Sequence, residues 1–300
     1  MKEFSKAQVF TAIKTPFSRD GAIDLAAFDR LVQRQIEAGI DGLIIGGTTG
    51  EGHLLNWDEH VMLIGHTVHR FGDRLLVVGN TGSNNTKEAS QATQHGFAIG
   101  MDAALLINPY YGKTSPAGMV AHFKKLLELG PAIVYNVPGR TGQDISPSII
   151  AQLQGHPNLL GLKECAGTER ISGYEAQGIP CWSGNDDEAH KSRHEGASHG
   201  VISVTSNLLP KAMKTLMAGK NETLNGRLQP LFAWLFSEPN PIALNTALAM
   251  LGWVQPVFRL PYVPMSKEMR EKGAAILNGL SDLGELTPAK VLEDSDFLVL

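Results

Sequence analysis

The chain has 300 residues, 43% of them hydrophobic and 19% charged, with a formal net charge of -4. This composition supplies a sizeable core and excludes a disordered chain, and its slightly acidic balance argues against a nucleic-acid partner, which favours a basic face. No apolar run approaches the ~18 residues that span a bilayer, Lys and Arg are too dispersed for a polybasic membrane patch, and two cysteines, Cys165 and Cys181, make neither a disulfide framework nor a four-ligand zinc site.

The first residues, MKEFSKAQVF, lack the apolar region of a signal peptide. Cytoplasmic residence is therefore the expectation, with a mature plastid form whose leader was removed left open. Taken in chain order, short apolar runs alternate with longer segments of helical periodicity. Strands are expected at 8–13, 42–46, 75–80, 103–108, 132–137, 159–164, 180–184 and 200–205. Helices are expected between them at 24–38, 57–70, 86–99, 116–129, 146–154, 170–177, 186–194 and 208–218. Asn56 with Glu59, and Thr86 with Glu88, read as helix N-terminal caps. Gly39, Gly72, Gly100 and Gly130 follow helix ends, where a left-handed conformation is common.

Strict alternation predicts a parallel α/β sheet, because parallel neighbours need crossover connections. Eight units over residues 1–220 fit a closed (β/α)₈ TIM barrel, and no GxGxxG follows the first strand to favour a doubly wound sheet. Residues 221–300 read as purely helical, with helices at 222–236, 241–251 and 267–278, and form a C-terminal appendage.

Active sites of such barrels lie at the C-terminal ends of the strands. The residues expected there include Lys14 and Thr15, the run from Gly46 to Gly52, Tyr110 and Tyr111, Tyr135 to Thr141, Lys163 and Glu164, Ser183 to Asp187, and Ser203 to Thr205. No metal cluster stands out. His190 and His194, beside Glu195, read as a solvated helix face, and His66, His69 and His122 as helix-surface or packing residues. The Gly-rich run lacks the Gly-Lys-Ser/Thr ending of a P-loop. It is either a tight turn or a cradle of N–H and hydroxyl donors for a small anion. Lys163 and Lys14 are competing candidates for a desolvated amine able to form an imine with a ketone. Tyr135 offers a phenol for proton transfer, with Thr48 as a relay to a second phenol, Tyr110 or Tyr111, unless those two merely pack. Arg140 offers a bidentate fork to a carboxylate. Cys165 reads as a packing residue.

GTTGE at 47–51, PYY at 109–111, YNVPGRT at 135–141, LKE at 162–164, SGNDD at 183–187 and GVISVT at 200–205 together resemble the dihydrodipicolinate synthase family. That family belongs to the pyruvate-dependent aldolases that include N-acetylneuraminate lyase, and the resemblance covers nearly the whole chain. It implies condensation of pyruvate with L-aspartate 4-semialdehyde in lysine and diaminopimelate biosynthesis. Lys163 is then the Schiff-base lysine, Tyr135 the general acid/base, and Thr48 and Tyr111 its relay. Tyr111 would enter the neighbouring subunit's site, within a homotetramer built from dimers. Thr49 and the backbone near Ile202 would bind pyruvate, and Arg140 the semialdehyde carboxylate; lyases acting on sugars generally lack that arginine. No cofactor is implied, since the lysine is the electron sink.

His53 and Trp57, with NPYYGKTS at 108–115 and RLPYVP at 259–264, resemble the plant branch. The resemblance then implies feedback inhibition by lysine in a pocket of His53, Trp57, His60, Asn84, Glu88 and Tyr110, with Glu88 on the α-ammonium and His60 on the ε-amine. Without it, these are ordinary polar groups on helix surfaces. Two other readings stay open: a different pyruvate-dependent aldolase such as N-acetylneuraminate lyase, and a non-catalytic barrel that senses lysine or pyruvate.

Overall fold

A computed structural model of the chain describes residues 3–300. β1 (Val9–Ala12) leads to α1 (Leu25–Glu37), β2 (Gly42–Ile45) to α2 (Trp57–Phe71), β3 (Leu76–Asn80) to α3 (Thr86–Ile99), and β4 (Ala103–Ile107) to α4 (Pro116–Leu127). β5 (Ala132–Asn136) is followed by the short helices α5 (Pro138–Thr141) and α6 (Pro147–Ala151), and β6 (Leu159–Glu164) by α7 (Thr168–Glu175). β7 (Cys181–Ser183) then leads to α8 (Asp186–His194), and β8 (Gly200–Ser203) to α9 (Pro210–Ala218). Each strand pairs in parallel with the next, and β8 returns to β1 through Val9↔Val201 and Phe10↔Ile202. The expected (β/α)₈ barrel is the fold observed.

Two-residue periodicity divides each strand between two cores. Phe10, Ile44, Val78, Leu105, Ile133, Trp182 and Ile202 fill the barrel interior. Val9, Leu43, Val77, Leu106, Val134, Leu162 and Val201 face outward to the helices. The interior is therefore filled by side chains, as expected of such a barrel.

Helix starts are fixed by side chains that satisfy otherwise orphaned N–H groups. Asn56 and Glu59 form the expected capping box on α2, each side chain accepting from the other's backbone N–H at 2.9 and 3.1 Å. The α3 cap is Asn85, which accepts from Lys87 N–H; Thr86, the predicted cap, is already the first helical residue. Gly39 and Gly100 are left-handed as predicted, but Gly72 has φ -64 and caps α2 in a right-handed conformation. His190 is buried rather than solvated. Its Nε2 accepts from Asn221 N–H at 3.0 Å, in the segment that crosses α8.

α10 (Glu222–Leu235), α11 (Ile242–Met250) and α12 (Lys267–Asn278) follow. Leu231, Trp234, Leu244 and Leu277 join the same apolar core as the outer barrel. This tail is not purely helical: β9 (Val257–Phe258) pairs in parallel with β10 (Leu298–Val299). Among the described residues no helix is long and apolar enough to cross a membrane.

Candidate active site

Tyr135 and Lys163 are register partners on β5 and β6. Since parallel neighbours in register place side chains on the same face, both project into the mouth. The Lys163 Nζ lies 4.3 Å from the Tyr135 ring centroid. Lys163 is 8% exposed. Burial disfavours its ammonium form and lowers its pKa, an effect opposed by Cys165 and the Asp186 carboxylate and reinforced by Arg140. Burial likewise keeps the Tyr135 phenol protonated, raising its pKa well above the usual value, while hydrogen bonding to Thr48 opposes that shift. An amine biased toward its free-base form thus sits beside a phenol that holds its proton. That pairing suits imine formation, in which the amine attacks as a free base and the carbinolamine oxygen needs a proton to leave.

Lys14, the competing amine, is committed elsewhere. Its Nζ lies 2.9 Å from Glu51 Oε1 and donates to the Thr15 carbonyl at 2.5 Å, with both side chains sealed from solvent. Burial lowers its pKa too, but here Glu51 is the main opposing influence. A carboxylate in contact favours the charged form, which is no nucleophile.

The loop after β2 carries Thr48 and Thr49. Thr49 is buried and accepts from Asn240 Nδ2 at 2.9 Å. At β8, Asp186 Oδ2 accepts from Val204 N–H at 3.0 Å and Thr205 N–H at 2.7 Å, which fixes the backbone just beyond the buried Ile202. Arg140 stands exposed at the end of α5, with Nη2 3.5 Å from the Asn240 carbonyl.

A cavity of about 960 Å³ runs outward from Thr48 and Arg140, and His53, Trp57, His60, Glu88, Tyr110 and Tyr111 line it. Asn84 borders a separate hollow with Tyr110 and Tyr111 instead. Glu88 is engaged by Ser83 Oγ at 3.2 Å and Asn85 Nδ2 at 3.1 Å. The His60 Nε2 is buried without a partner, and burial lowers the pKa of that ring. Tyr111 is 93% exposed with φ 65, while the Tyr135 hydroxyl is hydrogen-bonded by Thr48 and Cys165.

Several site residues escaped the sequence reading. Cys165 is one: its Sγ neighbours Tyr135 and Lys163, and burial raises the thiol's pKa to about 11. Its position two residues past Lys163 was the available signal, because alternate strand residues share a face. Gly184 lies within the expected 183–187 rim but carries no role in that reading; a Cβ there would stand 3.0 Å from Lys163 Cε. Asn240 and Tyr262, whose hydroxyl lies 2.9 Å from His53 Nε2, come from the tail, and local pattern gave no sign of them. Behind the site, Glu164 is buried and accepts from Asn136 Nδ2 at 2.9 Å and Ala166 N–H at 2.8 Å; burial raises its pKa to about 7. Among the described residues no group of His, Cys, Asp and Glu has the geometry of a metal site.

The family model for the dihydrodipicolinate synthetase family matches residues 5–280. A tobacco protein described as 4-hydroxy-tetrahydrodipicolinate synthase, chloroplastic, is 57% identical over 297 residues, covering 98% of this chain and 82% of its own length. The chloride-inhibited dihydrodipicolinate synthase of Acinetobacter baumannii, solved with pyruvate, superposes with a TM-score of 0.86 at 34% identity, over 93% of this chain and 99% of that one. The enzyme from Cyanidioschyzon merolae, solved with lysine bound, gives 0.87 at 28% identity, over 95% of this chain and all of that one. The chain belongs to the dihydrodipicolinate synthetase family.

Proposed function

We propose that this chain condenses pyruvate with L-aspartate 4-semialdehyde, using Lys163 as the imine-forming amine. The observation that carries this reading is the Lys163–Tyr135 pair across β5 and β6, set against a Lys14 already engaged by Glu51. The Lys163 Nζ attacks the pyruvate ketone, and the carbinolamine loses water with a proton supplied by Tyr135. The protonated imine draws electrons from the adjacent methyl, which gives up a proton and becomes the carbon nucleophile toward the aldehyde. Thr48 relays protons to Tyr135, Thr49 and the backbone near Ile202 hold pyruvate, and Arg140 takes the semialdehyde carboxylate. The imine itself is the electron sink, so the reading assigns no cofactor.

Tyr111 serves a neighbouring copy's site, and the active form is a homotetramer built from dimers. Its near-complete exposure supports that reading: an aromatic ring so exposed on a single chain gains by burial against a partner. Lysine is proposed as a feedback inhibitor, with its ammonium groups taken by Glu88 and His60 among His53, Trp57, Asn84 and Tyr110. The lysine-bound Cyanidioschyzon structure supports this role. Residues 1–220 carry the chemistry as a catalytic barrel, and 221–300 extend it. We assign the chain to the cytoplasm, with the plastid, where the tobacco relative is described, as the alternative that cell fractionation decides.

Borohydride reduction in the presence of pyruvate should add one reduced pyruvate unit at Lys163. An adduct at Lys14 would overturn the mechanism. Rates with aspartate semialdehyde far above those with N-acetylneuraminate are expected, and the reverse order favours the sugar-acid lyase reading. Unchanged activity at saturating lysine removes the inhibitory role.

A further inference from the structure

The Lys14–Glu51 pair has no part in the chemistry above, yet it is the most thoroughly buried ion pair in the described chain, with side chains 0% and 1% exposed. Such pairs add little net stability, because both charges have lost their hydration. What this one fixes is a geometry. Glu51 has φ 54, a left-handed conformation that residues with a side chain rarely adopt. Its N–H donates to the Thr48 carbonyl at 3.1 Å, and the N–H of Gly52 donates to Gly47 O at 3.1 Å. The backbone around Glu51 therefore closes the turn that carries Thr48 and Thr49. Gly52 admits no Cβ, which would overlap the Gly46 carbonyl, and a Cβ at Gly50 would stand 2.8 Å from Ile13 O at the end of β1.

The ammonium is anchored as firmly as the carboxylate it holds. Lys14 N–H donates to Asn207 Oδ1 at 3.0 Å, and Nζ lies 4.8 Å from the Phe17 ring centroid. One strand end thus grips the loop of its neighbour through a single buried charge pair.

We propose that Lys14 is a positioning residue for the reaction, holding the 46–52 turn through Glu51 so that Thr48 faces Tyr135. The proposal rests on the reading of Tyr135 and Thr48 as the proton relay. Lys14 touches no reacting atom in it; its effect reaches the chemistry only through the turn.

Lys14→Met keeps the length of the stem and removes the charge, so Glu51 is left buried without its partner. His53, Tyr262 and Arg259 are the other charged or titratable groups that bear on this pair, and all are present in both proteins. We expect kcat in Lys14→Met to fall at least about tenfold. Borohydride trapping with pyruvate is run on the same samples. An adduct retained at Lys163 while kcat is lost assigns the defect to positioning; a wild-type protein that fails to trap at Lys163 condemns the Schiff-base reading instead. Lys14→Met/Glu51→Gln buries no unpaired charge and covers the case in which the single variant does not fold. A wild-type melting temperature with kcat still about tenfold low supports the proposal. Wild-type kcat in the folded double variant, or in Lys14→Met, overturns it.

Discussion

Gly184→Ala offers a direct test of how closely the reactive amine is held. The Gly184 backbone is pinned to β6 by its N–H, which donates to Glu164 O at 2.8 Å. A methyl group added there would lie 3.0 Å from Lys163 Cε and closer still to Cys165 Sγ. Carbon atoms rest at about 3.5–4.0 Å, so Cε must retreat by roughly 0.5–1 Å. The flexible lysine stem yields before the sheet does, and the yielding group is the nucleophile. Overpacking of this kind costs about 1–3 kcal/mol, a fall in melting temperature of several degrees for a protein of this size. A misplacement near 1 Å at the reacting atom lowers the rate on the order of a hundredfold. The assay is kcat/KM for both substrates, together with the rate of borohydride-trapped adduct formation at Lys163 followed by mass spectrometry. Gly184→Ala/Cys165→Ala removes the sulfur clash, so it should regain most of the lost melting temperature and little of the lost rate. A Gly184→Ala enzyme with wild-type kcat/KM and trapping would refute the reasoning.

Two further outcomes follow from the same geometry. Tyr135→Phe should keep the fold and lower kcat by about 10²–10⁴, the usual contribution of a positioned acid/base, and a wild-type kcat would remove Tyr135 from the proton path. Glu164→Gln should alter stability in a pH-dependent way. The Glu164 pKa rises from 4.5 to about 7 on folding, so between those values the native state binds more protons than the unfolded state, and stability falls as pH rises through that window. The substitution removes that loss, up to about 3 kcal/mol, so the variant should gain melting temperature over the wild type at pH 8 but not at pH 4. An equal change at both values contradicts the assignment.

The chemistry of β5 and β6 was readable because it is local: Tyr135 and Lys163 end adjacent strands, and the barrel rule places both at one mouth. What was misread depended on contacts distant in sequence. His190 looked solvated until the segment at Asn221 was seen to cover it. The choice between Lys14 and Lys163 could not be made from strand position, since both end strands; it turns on a carboxylate that the loop at Glu51 folds against one of them. Asn240 and Tyr262 reach the mouth from the tail, which its sequence marks only as a helical appendage. The two-stranded β9–β10 sheet was missed because two-residue strands carry no periodicity.

Ring closure through Val9↔Val201 also has a consequence for biosynthesis. While the ribosome is still working toward Gly200, β1 has no partner on its outer side. The nascent chain then presents an open parallel sheet whose first strand, Val9–Ala12, is an apolar edge available to any other extended segment. Closure spans nearly two-thirds of the chain, and contacts this non-local form slowly. Yield on overexpression should therefore respond more to translation rate and chaperone supply than to the stability of the finished enzyme.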